Sequence, residues 1–132
     1  MMGSFSNYWE NEVLDHLFGK GVYMPPTIYV ALSATDPGES GSGIEEPAGS
    51  GYARVCTAAG DWNVADGGLL DNAVAVAFNT ATGDWGTMTH FALFDAASGG
   101  NMLAHGALTQ AKSVASGDTI QFAPGDLDVT LD

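Results

Sequence analysis

The chain has 132 residues, with 16 acidic against 3 basic side chains and a formal net charge of -13. That length fits one domain with a real core, and 45% hydrophobic residues argue against disorder. A field this negative repels phosphate backbones and anionic lipid, which argues against nucleic acid and membrane surfaces as partners.

The first expected element is an amphipathic helix over residues 6–19. Asn7 suits an N-cap, with Glu10 three residues on at capping-box spacing. Trp9, Val13, Leu14, Leu17 and Phe18 recur at helical spacing and form one apolar stripe, and Gly19 is a natural stop. Pro25-Pro26 forbids further helix. The start, Met1-Met2-Gly3-Ser4-Phe5, lacks the basic residues and apolar run of a signal peptide, and no stretch reaches transmembrane length.

From residue 27 to residue 132 the expected body is an antiparallel β-sandwich of about seven short strands, with a partly open barrel as the alternative. The first strand, 27–33, alternates Ile28, Val30 and Leu32 with Tyr29, Ala31 and Ser33. The Gly-, Ser- and Glu-rich stretch 34–50 reads as a long exposed loop. Strands are expected at 51–58 and 73–78, separated by a turn-rich link containing Trp62. A hairpin then pairs 87–94 with 102–109 through Ala97-Ser98-Gly99-Gly100-Asn101, whose residues tolerate positive φ. Two short strands, 119–123 and 127–131, close the chain around Pro124-Gly125-Asp126.

Reactive constellations are sparse. His90 and His105 lie on the two hairpin arms and can share a face, but zinc needs three or four ligands and no accompanying Cys or His spacing supplies them. His16 reads as a helix-end histidine near the negative end of the dipole. The single cysteine, Cys56, excludes an internal disulfide, fits folding in a reducing cytoplasm, and reads as a small buried hydrophobe. Asp61, Asp66, Asp71, Asp84, Asp95, Asp118 and Asp126 are scattered, most of them beside glycine or in turns, where Asp closes local hydrogen bonds, with loop-bound calcium as the alternative. No Gly-x-Ser-x-Gly elbow is present. Trp9, Trp62 and Trp85 read as core or interface anchors, with exposed sugar-stacking platforms as the alternative. The residues thus predict no catalytic, cofactor or metal site.

The opening Ser6-Asn7-Tyr8-Trp9-Glu10-Asn11-Glu12-Val13-Leu14-Asp15-His16-Leu17-Phe18-Gly19 resembles a recurrent opening of small virion structural proteins of tailed bacteriophages. The resemblance continues through Pro25-Pro26-Thr27-Ile28, Gly51-Tyr52-Ala53-Arg54, Asp84-Trp85-Gly86, Phe91-Ala92-Leu93-Phe94-Asp95, Ser116-Gly117-Asp118-Thr119 and Gly125-Asp126-Leu127. It implies a non-enzymatic virion component made in the host cytoplasm. The expected partners are capsid or tail subunits and copies of the chain itself. Without elongated repeats, an accessory subunit is favoured over a receptor-binding fibre: a cement, decoration or tail-fibre-like protein on the capsid or tail surface. Trp9, Val13, Leu14, Leu17 and Phe18 are then the expected partner-binding residues. Two other readings remain: a glycan-binding adhesin using loop 34–50 and the tryptophans, and a carboxylate-dependent hydrolase.

Overall fold

A computed structural model describes residues 1–131. In chain order the elements are β1 (Met2–Phe5), α1 (Asn7–Leu17), β2 (Tyr29–Ser33), β3 (Val55–Cys56), a 3₁₀ turn (Ala59–Asp61), β4 (Leu69–Asp71), β5 (Val76–Ala77), β6 (Gly86–Phe94), β7 (Met102–Val114), β8 (Gln121–Phe122) and β9 (Asp128–Thr130). Seven strands form one sheet in the order β3-β2-β6-β7-β1-β9-β4, and β5 pairs with β8 in a second, two-stranded sheet. The molecule is mainly β with one helix near its start, and the sandwich is lopsided. A broad sheet faces a small ribbon, and Val76, Phe78, Ile120 and Phe122 of the ribbon region join Val30, Leu32, Phe91 and Leu93 in one core. The Phe91 and Phe122 rings meet edge-on, 6.5 Å between centroids.

Small residues set how closely the central strands approach. Gly3 of β1 lies opposite Gly106 of β7, which lies opposite Phe91 of β6. A Cβ added to Gly106 would stand 2.7 Å from the Gly3 Cα and 2.8 Å from Phe91 Cε1. The Phe91 ring therefore lies over the two glycines, where any side chain would collide with it. Asn72 is fully buried and ties the second half together. Its amide donates to the carbonyls of Val74 and Ala123, and its oxygen accepts from the Leu127 N–H at 2.9 Å.

Several expectations are corrected. The sheet reaches back to Met2, so it does not begin at residue 27, and β1 runs antiparallel to β7 but parallel to β9. The strands expected at 51–58 and 73–78 shrink to two residues each, while β4 forms inside what reads as a link. Loop 34–50 is not free: Pro37 is buried, and Ile44 packs on Ala31, Ala92, Phe94 and Met102. Both faces of β2 are consequently covered, and Val30, Ala31, Leu32 and Ser33 are all 0% exposed. Cys56 is exposed, not buried, because it lies on the edge strand β3 between the inward-turned Val55 and Thr57. Residue 132 of the expected body lies outside the described residues.

Candidate functional site

α1 begins one residue earlier in its capping than expected. Ser6, not Asn7, is the N-cap, and its hydroxyl accepts from the Trp9 N–H at 3.3 Å. Glu10 lies in the first turn but one place beyond the capping-box position. The C-terminal end follows the sequence closely. Phe18 is the C-cap, and Gly19 takes φ 73. The Gly19 N–H donates to the His16 carbonyl and the Lys20 N–H to that of Asp15, the double bond pattern of a glycine-closed helix.

Every residue of α1 is at least partly exposed. The expected apolar stripe splits in two. Trp9 packs against the core with Phe5, their rings 4.6 Å apart, and Val13 is half-buried. Leu14, Leu17 and Phe18 remain 53%, 72% and 75% exposed. These three stand at i, i+3 and i+4, so they share one helix face. The chain then returns past the helix. Tyr23 is turned inward, accepting a hydrogen bond from Trp9 Nε1 at 3.0 Å and meeting the Tyr8 ring edge-on. The backbone N–H of Tyr23 donates to His16 Nδ1. Val22 and Met24, on either side of Tyr23, point outward.

Beside this segment lies an open apolar groove of about 650 Å³. Phe5 and Trp9, Pro25-Pro26, Trp62, and Leu69-Leu70 of β4 form its walls. Trp62 is fixed there by donating its indole N–H to the Thr57 hydroxyl at 2.9 Å. In the sequence Pro25-Pro26 reads only as a helix breaker, and neither the groove nor the exposure of Val22 and Met24 is legible there. The one trace is that three large side chains, Val22-Tyr23-Met24, precede the proline pair.

On the opposite face, the loop 34–50 is pinned by charge. Arg54 reaches Glu46 with two nitrogens, Nε at 3.0 Å and Nη2 at 2.7 Å. Its Nη1 donates to the carbonyls of Ala96 and Gly99 in the hairpin turn, and the guanidinium lies 3.8 Å over the Phe94 ring. Burial opposes the charge of Glu46. Hydrogen bonds from Arg54 and Tyr52, with the guanidinium charge, outweigh it and hold the carboxyl below the ordinary glutamate range. Burial, and donation to Glu46, push the Tyr52 hydroxyl far above the ordinary tyrosine range. His105 bonds Glu39 at 2.7 Å, with Asp36 3.8 Å away on the other ring nitrogen. His90 and His105 do share a face, diagonal across β6 and β7, since His90 opposes Ala107 and His105 opposes Ala92. Nδ1 of His90 pairs with the Thr89 hydroxyl. Among the described residues no group of three or more His, Cys, Asp or Glu could hold a metal ion. No helix of the described residues is long and apolar enough to cross a membrane.

The tryptophans are turned inward: Trp85 is buried in the core, and Trp9 and Trp62 are half-buried groove walls. The turn aspartates act locally. Asp61, Asp118 and Asp126 each accept from the backbone N–H three residues before them, at 2.9–3.0 Å.

Residues 4–130 match the family model described as podophage GP4 fiber I protein gp80, and the chain belongs to that family. No curated protein matches it. The chain is thus a structural protein of a tailed-phage virion.

Proposed function

We propose that this member of the podophage fibre family is a non-enzymatic accessory subunit on the outer surface of the tail or capsid. It attaches to a neighbouring virion protein through the apolar end of α1. Trp9 and Val13 form the foot of the helix, and Leu14, Leu17 and Phe18 are the anchors.

The observation that carries this reading is the exposure of those three side chains on one helix face. An isolated helix of 11 residues is marginal in water, so this one depends on its Ser6 cap and on Trp9. Nothing in its own fold requires Leu17 and Phe18 to be apolar. Buried against a partner, each side chain of this size contributes roughly 1.5–3 kcal/mol.

The test is co-sedimentation with phage particles. Leu17→Ser with Phe18→Ser should leave a folded protein that no longer joins the particle. Undiminished incorporation would remove α1 as the attachment element.

A further inference from the structure

The shape and the chemistry of the apolar groove restrict what it can hold. It crosses the broad sheet from Ile28, just before β2, past Leu93 of β6 and Phe5 of β1, to Val129 of β9 and Leu69 of β4. Adjacent strands stand about 4.8 Å apart, so in a twisted sheet that crossing covers about 20 Å. Spread over such a length, a volume of about 650 Å³ leaves a cross-section on the order of 30 Å². An α-helix with its side chains, about 10 Å across, is too wide for it. A hydrocarbon chain is not.

Polar groups in the walls are already committed. Trp62 Nε1 donates to Thr57 Oγ1, which donates in turn to the Ile28 carbonyl at 2.7 Å. Trp9 Nε1 is spent on Tyr23, and the Thr130 hydroxyl donates to the Gly3 carbonyl. Pro25 and Pro26 have no N–H to offer. The outer edge of β4 is taken by the link before it: Asp66 and Leu69 exchange backbone bonds of 2.9 and 3.1 Å, and the Asn63 N–H donates to the Asp71 carbonyl. A peptide or a sugar laid along the groove would therefore bury N–H, carbonyl or hydroxyl groups without partners. A hydrocarbon chain has none to bury. Charge points the same way. Among the described residues no Asp, Glu, Lys, Arg or His lines the groove, in a chain with 16 acids and a net charge of -13. An anionic head group would meet a repelling field, with no lysine or arginine in the wall to hold it.

We infer that the groove is a ligand site for the hydrocarbon chain of an uncharged, single-chain amphiphile. Trp9 and Trp62 wall the chain, and the head group stays in water. The chain is held by desolvation and close contact alone. This site goes beyond attachment through α1 and does not depend on it.

Isothermal titration calorimetry of the full chain tests it, with monolauroylglycerol below its micelle concentration as the probe. Saturable binding of one molecule per chain is expected. Tryptophan fluorescence should change with it, since two of the three tryptophans stand in the walls. Laurate, a chain of the same length with an anionic head, should bind several-fold more weakly at low salt. Ala59→Phe narrows the groove, and Ala65→Glu puts a charge in its wall. Both positions are exposed, so the fold should survive, and each change should weaken binding about tenfold or more. Circular dichroism checks the fold, and if one variant unfolds the other decides. A wild type without saturable binding overturns the inference, as does undiminished binding by a folded variant. Laurate bound as tightly as monolauroylglycerol overturns the choice of an uncharged head.

Discussion

Arg54 shows how much one side chain decides in so acidic a protein. It joins loop 34–50, the end of β2 through Tyr52, and the hairpin turn, and its side chain is only 6% exposed. Removing either partner of a buried pair strands the other charge, at a cost of about 3 kcal/mol. Glu46→Gln should therefore lower the urea midpoint clearly at pH 7. The pH dependence follows from the sign of the shift. Because folding holds the Glu46 carboxyl below its ordinary value of 4.5, its contribution is complete above that value. It is lost as the pH falls through the lower, folded-state value. Urea midpoints of wild type and Glu46→Gln should be farthest apart near neutrality and converge in acid below pH 4.5. A second residue-scale prediction concerns the glycine pair under Phe91. Gly106→Ala places a methyl against Gly3 and the Phe91 ring, so an overpacking cost of about 1–3 kcal/mol is expected. Differential scanning calorimetry should show a melting point several degrees lower.

At the scale of the element, α1 is two structures in one: a foot that belongs to the core and an end that does not. Trp9→Ala removes a half-buried ring packed on Phe5 together with the hydrogen bond to Tyr23, and should lower the melting temperature of the isolated protein. Leu17→Ser with Phe18→Ser should change stability by no more than about 0.5 kcal/mol for each exposed site. Equal losses in thermal melts of the two variants would show that the helix end is also core. This division explains what the sequence disclosed. The helix, β2 and the long hairpin were legible because each is long enough for its period to repeat. Gly19, Gly99 and Gly100 stand with positive φ where turn chemistry places them. β1, β4 and the two-residue strands were not legible, since two to four residues carry no period and their pairing is decided by distant partners. The stripe on α1 was legible, but not which half of it the fold would cover. Periodicity reports a face, while coverage depends on what the returning chain and the Phe5 ring bring alongside. The same blindness hid Ile44, a large apolar residue in a mostly polar loop, which closes the second face of the sheet.

At the scale of the molecule, charge and closure dominate. With Arg54 paired internally, Lys20 and Lys112 are the Lys and Arg side chains left to offset the acidic surface. Self-repulsion should therefore weaken as salt shortens the screening length, and the melting temperature should rise from low to moderate sodium chloride. A flat response would mean that repulsion among the acids does not limit stability. The position of β1 has a different consequence, one of timing. Its neighbours are Ala104–Gly106 on one side and Asp128–Thr130 on the other, so β1 has no partner until residues 104–106 are made, and its second edge stays open until residues 128–130 arrive. A nascent chain emerging from the ribosome holds β1 in reserve while some hundred residues are made, and such late, long-range closure makes for slow folding. Leu14, Leu17, Phe18, Val22 and Met24, bare even in the finished fold, are made well before the body that is to carry them.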